Sequence, residues 1–160
     1  MLGRMTTNLS GGEQPKLALA SAMIEATQAL FVSRGDDSET HKMELVLWRS
    51  AALDPDGFGE WYKAVGVGVG AALNTASGLD AYILRDCASW LNFGKKGGLA
   101  LLFSGDPVLF NQYAYLPVSA LRHSYVKSDL AIKLEVWPTS ARAAALINTY
   151  AINGETLFYF

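Results

Sequence analysis

The order of segments along the chain predicts an α/β fold in which helices cover a mixed sheet. Two observations carry that reading. Short apolar runs of strand length, such as Ala29–Val32 and Leu99–Phe103, alternate with stretches whose apolar residues recur at helical spacing. The breaks between them are rich in Gly, Pro and Asp, residues that favour turns.

Taken in order, the first helix is expected from about Glu13 to Gln28. Its start, Ser10-Gly11-Gly12-Glu13, has the Ser-x-x-Glu spacing of a capping box. Leu17, Ala20, Ile24 and Thr27 or Gln28 mark its core face, with Leu19, Met23 and Ala26 beside it. A strand through Leu30–Ser33 follows, then a second helix from about Thr40 to Ser50 that presents Met43, Leu47 and Trp48. Asp54-Pro55-Asp56-Gly57 has turn composition, and Trp61-Tyr62 reads as an aromatic plug. Glycines from Gly66 to Gly70 open a third helix carrying Leu73 and Ala76. Ala81–Leu84 is a short strand or turn. Leu99–Phe103 and Tyr113–Val118 are expected as strands, the last helix from Thr139 or Ser140 to Tyr150, and Leu157–Phe160 as a strand or apolar tail.

A chain of 160 residues with 51% hydrophobic content suffices for one domain, or for two small lobes sharing a core. A net charge of -2 offers no basic surface for nucleic acid, whose binding depends on neutralising phosphates. One cysteine, Cys87, excludes an internal disulfide and a multi-thiolate metal site. The histidines His41 and His123 lack the spacing of a metal motif. No cofactor and no metal ion is expected. No apolar run reaches the roughly 18–20 residues of a membrane span, and Met1–Asn8 is not followed by the apolar core of a secretion signal.

Leu9-Ser10-Gly11-Gly12-Glu13-Gln14 looks like the signature motif of transporter ATPases, but no Gly-x-x-x-x-Gly-Lys-Ser/Thr loop accompanies it. Gly66-x-Gly68-x-x-Ala71 fits a dinucleotide fingerprint, with Asp86 where a ribose-binding acid belongs. Ser33, Ser38 and Cys87 have only His41 and His123 as candidate bases, neither in a recognisable motif. The Glu39 and Glu44 pair would serve acid–base work only if buried, and helix carboxylates are usually exposed. Nothing argues for an enzyme.

The most informative stretch is Ser33-Arg34-Gly35-Asp36-Asp37-Ser38-Glu39-Thr40, which sets an arginine between a strand and a helix. The first amides of a helix lack internal partners and carry the positive end of its dipole, so this junction suits a small anion. A plainer reading stays open: Asp37 or Ser38 is only a helix cap and Arg34 only pairs with Asp36. The three nearby acids oppose an anion.

From Phe31 onward the chain resembles the tungstate-binding proteins, the solute receptors of oxyanion ABC importers. The resemblance rests on Phe31-Val32-Ser33-Arg34-Gly35-Asp36-Asp37-Ser38-x-Thr40-His41-Lys42 with Trp48, and on Trp61-Tyr62. It continues through Gly66-x-Gly68-x-Gly70-Ala71-x-Leu73-Asn74, then Gly105-Asp106-Pro107 to Tyr113, and Trp137-x-Thr139-Ser140 to Phe158. It implies a type II periplasmic-binding-protein-like fold in which a tetrahedral dianion, tungstate or molybdate, lies in a cleft. Ser33 and Arg34 would contact it, with Ser38 and Thr40 close by and backbone amides from Gly70 and Ala71 on the other side. It also implies an importer permease as partner and a periplasmic or extracellular location, although the absence of a leader leaves an intracellular one open.

On that resemblance, residues 1–108 are a second lobe with a preceding helix, and 109–160 are the segment returning to an incomplete first lobe. The family's amino-terminal threonine-rich anion loop is missing here. Glu39 stands where a glycine is usual, Val67, Val69 and Ala72 replace other residues, and Ile83, Arg85 and Cys87 break a pattern with a threonine and an arginine. A small dinucleotide-binding module built on Gly66–Ala71 and a non-binding structural remnant are the alternatives.

Overall fold

The computed structural model describes residues 16–111 and 113–160. These residues divide into two compact units, 16–110 and 111–160.

The first unit is built on a three-stranded sheet. Its elements are α1 (Lys16–Thr27), β1 (Phe31–Ser33), α2 (Glu39–Ser50), β2 (Tyr62–Ala64), α3 (Val69–Leu79), β3 (Tyr82–Ile83) and α4 (Cys87–Asn92). The strand order is β2-β1-β3, and both pairings are parallel. Phe31 lies level with Tyr62 and Tyr82, Val32 with Lys63 and Ile83, and Ser33 with Ala64. With β1 in the centre, α2 and α3 are the crossovers to its two neighbours, an arrangement that leaves the carboxyl ends of all three strands along one edge.

Alternation along β1 explains how the two faces are filled. Val32 packs with Ala72, Ala76 and Ala81, supported by Val65, Val67, Ile83 and Leu99. Phe31 packs with Trp48 and Trp61, supported by Ile24, Leu53, Phe58, Tyr62 and Leu84. Trp48 is 2% exposed and meets the rings of Phe31, Phe58, Trp61 and Tyr62 at 5.1–6.2 Å between centroids. The small residues Ala72 and Ala76 let α3 approach the sheet closely, whereas α2 brings a large ring and needs more room.

The expected start of the first helix at Glu13 and its capping box lie outside the described residues. The buried face of α1 is offset from the expected one: Ala18 and Ser21 are buried, while Ala20 and Met23 are exposed. The helix is apolar nearly all round, so its periodicity does not single out a face. Ala81–Leu84 contains the strand β3, and the expected second helix is present with one extra residue, Glu39. α4 was not anticipated, although Asp86 caps it by accepting from the amide of Ser89 at 2.8 Å.

Leu99–Phe103 is not a strand, nor is Tyr113–Val118. Leu101 and Leu102 are exposed, as are Tyr113 and Leu116. Strand pairing needs a neighbouring backbone to satisfy its amides, and neither segment has one among the described residues.

The second unit holds α5 (Ser128–Val136), α6 (Ala141–Thr149), β4 (Ala151–Ile152) and β5 (Glu155–Thr156). Ser140 caps α6, accepting from the amide of Ala143 at 3.2 Å. The two strands form an antiparallel hairpin whose turn, Asn153-Gly154, has both residues at positive φ, 53° and 85°. Leu157–Phe160 continues as a tail rather than a strand, with Phe158 packed against Tyr113 and Tyr150. The unit's only buried residue among those described is Ala143. No helix among the described residues is long and apolar enough to cross a membrane.

Candidate functional site

The carboxyl edge of the sheet is where this fold leaves backbone amides and loop side chains unclaimed by regular structure. β1 reaches that edge at Ser33, which is fully buried. The chain then turns through Gly35, at φ 58°, and Asp37, also at φ 58°, before α2 begins. A side chain at Gly35 would be strained and crowded: a Cβ there would sit 3.0 Å from the Cβ of Ala64 at the end of β2. The turn is thus pressed against the neighbouring strand.

Within the turn the contacts are local. Arg34 donates from Nη2 to Oδ2 of Asp36, and both side chains are largely buried. Oδ1 of Asp36 accepts from the amide of Ser38 at 3.2 Å. Hydrogen bonding from Ser38, helped by Arg34, holds the Asp36 carboxyl below its ordinary value. Ser38 caps α2, its Oγ accepting from the amide of His41 at 3.3 Å. Both parts of the plainer reading are therefore present: Ser38 is a cap and Arg34 is paired. The pairing is incomplete, because Nε of Arg34 is buried with no partner among the described residues. Thr40 sits half-buried in the first turn of α2, where the helix amides have no internal acceptors.

Beneath the turn lies a buried carboxylate. Glu44 is 3% exposed; its Oε1 accepts from the hydroxyl of Tyr62 at 2.6 Å and from Nε1 of Trp48 at 3.4 Å. Burial raises its pKa, with hydrogen bonds from Tyr62, Ser33 and Trp48 working against the rise. The Tyr62 hydroxyl is also pushed up, first by burial and then by its bond to Glu44. Glu39 is exposed and pairs only loosely with Lys42, at 3.9 Å. The two glutamates therefore do not form a pair. Glu44 shares the buried face of its helix with Leu47 and Trp48, three and four residues on, a spacing that marks it in the sequence.

Gly70 and Ala71 lie in the first turn of α3, which leaves the same sheet edge from β2. The amide of Ala71 already donates to the carbonyl of Gly68 at 3.1 Å; that of Gly70 stands in the first turn, where a helix supplies no acceptor. Gly70 also lines an open, largely apolar hollow of about 340 Å³ with Val69, Leu73, Ala88, Ser89, Asn92 and Phe93. None of the residues Ser33–Thr40 lines it. Gly66 is at φ 61°, in the turn expected of a dinucleotide fingerprint, but the carboxylate of Asp86 is engaged in capping α4. Cys87 is exposed, and no cluster of three metal-ligating side chains occurs among the described residues.

Beyond β3 stands a second arginine. Nε, Nη1 and Nη2 of Arg85 are all buried without a partner among the described residues. Burial lowers its pKa; Asp86 opposes that, and Arg34 adds to it by like-charge repulsion. In the sequence Arg85 stands out only as a departure from a family pattern; its place two residues after β3, the strand paired with β1, comes from the fold.

No family model matches the chain. The tungstate-binding protein TupA of Peptoclostridium acidaminophilum is 37% identical over 120 residues, which are 75% of this chain and 41% of that protein. The structure of the tungstate-binding protein TupA from Desulfovibrio alaskensis G20 superposes with a TM-score of 0.77 at 34% identity, covering 89% of this chain and 59% of the other. That of the tungstate ABC transporter from Geobacter sulfurreducens gives 0.69 at 37% identity, over 83% and 56%. The chain thus spans about two fifths of the curated relative, and the fold of its matched part is that of these binding proteins.

Proposed function

We propose that this chain, a homologue of the tungstate-binding proteins across the part of their length that it spans, forms one wall of a site for a tetrahedral oxyanion. The observation that carries the reading is the Ser33–Thr40 turn, which sets an incompletely paired arginine and the start of α2 at the carboxyl edge of a parallel sheet. There Arg34 supplies charge, Thr40 a hydroxyl and Gly70 a backbone amide, with Ser33 and Ser38 shaping the turn. The Oγ of Ser38 already accepts from His41, which leaves its hydroxyl proton to donate, whereas the hydroxyl of Ser33 accepts from Gly35 and turns its proton towards Glu44.

Binding of this kind needs no reaction. Charge-assisted hydrogen bonds from fixed donors hold the anion, and they strengthen as water is excluded. Tungstate is the preferred ligand and molybdate, of the same shape and charge, the second. The role is that of a solute receptor delivering the anion to the permease of an ABC importer, outside the cytoplasmic membrane. Residues 1–108 act as the second lobe of such a receptor and 109–160 as its returning segment.

Thermal denaturation with millimolar tungstate, molybdate or sulfate tests the reading. Tungstate and molybdate are expected to raise the Tm and Arg34→Ala to abolish the rise. A Tm unmoved by all three anions would refute it.

A further inference from the structure

Arg85 is the most conspicuous unmet charge in the first unit. A guanidinium keeps its proton at any pH a protein meets, so burial cannot be relieved by neutralisation. Such a charge is normally balanced by a carboxylate, and three lie within electrostatic reach: Asp86, Asp36 and Glu44. Each is committed elsewhere. Asp86 caps α4, Asp36 receives Arg34 and the amide of Ser38, and Glu44 receives Tyr62 and Trp48. That leaves Nε, Nη1 and Nη2 of Arg85 buried and unpaired among the described residues.

Its position in the sheet gives the vacancy a meaning. Val32 is level with Ile83, and each strand runs on within two residues to an arginine, Arg34 and Arg85, close enough for their charges to act on each other. The two chains run parallel, so both arginines leave the sheet at its carboxyl edge. Two guanidinium groups side by side repel unless an anion lies between or before them, and Arg34 has a buried Nε with the same lack. The Arg34–Asp36 pair is close to neutral by itself, so Arg85 adds a positive charge that the Arg34 turn does not supply.

We propose that Arg85 is a second guanidinium ligand of the bound oxyanion and sets its preference for a dianion over a monoanion of equal shape. The inference rests on the oxyanion reading above. Its fork offers two parallel N–H groups to two oxygens of one tetrahedral anion, a geometry that a lysine does not reproduce.

The test is isothermal titration of the full chain with tungstate and with perrhenate, a tetrahedral monoanion of similar size, for the wild type, Arg85→Gln and Arg85→Lys. Wild type is expected to favour tungstate. Arg85→Gln should weaken tungstate binding about 10- to 100-fold, the span of a lost charge-assisted hydrogen bond, and should weaken perrhenate less. Arg85→Lys should fall between. Without anion, Arg85→Gln should melt at or above the wild-type temperature, because it removes an unpaired buried charge. Unchanged tungstate affinity in Arg85→Gln, or a lower melting temperature without anion, overturns the role of Arg85 and leaves the oxyanion reading standing. A wild type that binds no tungstate, molybdate or sulfate overturns both.

Discussion

Replacing Gly35 by alanine tests whether the Arg34 turn is held by backbone geometry. Gly35 is at φ 58°, where a Cβ meets the adjacent carbonyl oxygen at a cost of roughly 1–2 kcal/mol. The new Cβ would also sit 3.0 Å from Cβ of Ala64, 3.4 Å from its Cα and 3.5 Å from the amide nitrogen of Gly66. Ala64 belongs to β2 and cannot withdraw without disturbing its pairing with Ser33, so an overpacking cost of roughly 1–3 kcal/mol adds to the first. The sum is about 2–5 kcal/mol, or a fall in Tm of about 5–20 °C for a chain of this size. Gly78→Ala is the matched control. Gly78 lies inside α3, is exposed, and its Cβ would meet nothing within 4 Å, so the substitution should stabilise by about 0.5–1 kcal/mol. The assay is urea denaturation of wild type and both variants, followed by tryptophan fluorescence. Equal stability of Gly35→Ala and wild type would refute the strained contact between the turn and β2.

Three further outcomes are expected. Glu44 has a folded-state pKa above its ordinary 4.5, so the native chain holds its proton longer than the unfolded chain does. Its contribution to stability is therefore greatest below about pH 4.5 and declines as pH rises through the folded-state value; Glu44→Gln should remove that decline, and a wild-type minus variant Tm difference that stays constant from pH 4 to 8 would contradict it. Trp48→Ala empties the centre of the aromatic cluster and should cost about 3–5 kcal/mol in urea denaturation; a loss under 1 kcal/mol would show that Trp48 is not central. Tyr113, Leu116, Leu121 and Tyr125 are 78–100% exposed, so the chain should self-associate at tens of micromolar on size exclusion with light scattering, and a monomer at every concentration would count against this exposed apolar surface.

How far the fold was legible depended on whether local chemistry or a distant partner decided each element. Ser38 before α2 and Ser140 before α6 act within their own segments, and the sequence locates both helices to within two residues. Leu99–Phe103 has the composition of a buried strand, but an apolar run becomes a strand only beside another, and composition carries no information about that neighbour. Asn153-Gly154 was a readable hairpin signal that the resemblance of the surrounding residues obscured. At the site, Arg34 was visible from its place between a strand and a helix. Arg85 also follows an apolar run and precedes an aspartate, but its meaning depends on the β1–β3 register, which no local pattern encodes. Glu44 was discounted because most helix carboxylates are exposed, although its spacing from Leu47 and Trp48 put it on the buried face.

The register also answers the objection that Asp36, Asp37 and Glu39 raise against an anion. Asp37 and Glu39 have side chains 90% and 78% exposed and share Lys42 at 3.7 and 3.9 Å. Charges so exposed act through high-dielectric water and are screened over about 8–10 Å at ordinary ionic strength, so they weigh less at a buried point than buried charges do. The local field is set mainly by the groups that are largely buried. Among these, Arg34 and Asp36 offset each other, and the Oε1 of Glu44 is held by Tyr62 and Trp48. Arg85 remains, with all three guanidinium nitrogens unpaired among the described residues. An edge that the sequence counts as acidic therefore holds two arginines with buried nitrogens, one in each of the segments that follow the adjacent strands β1 and β3.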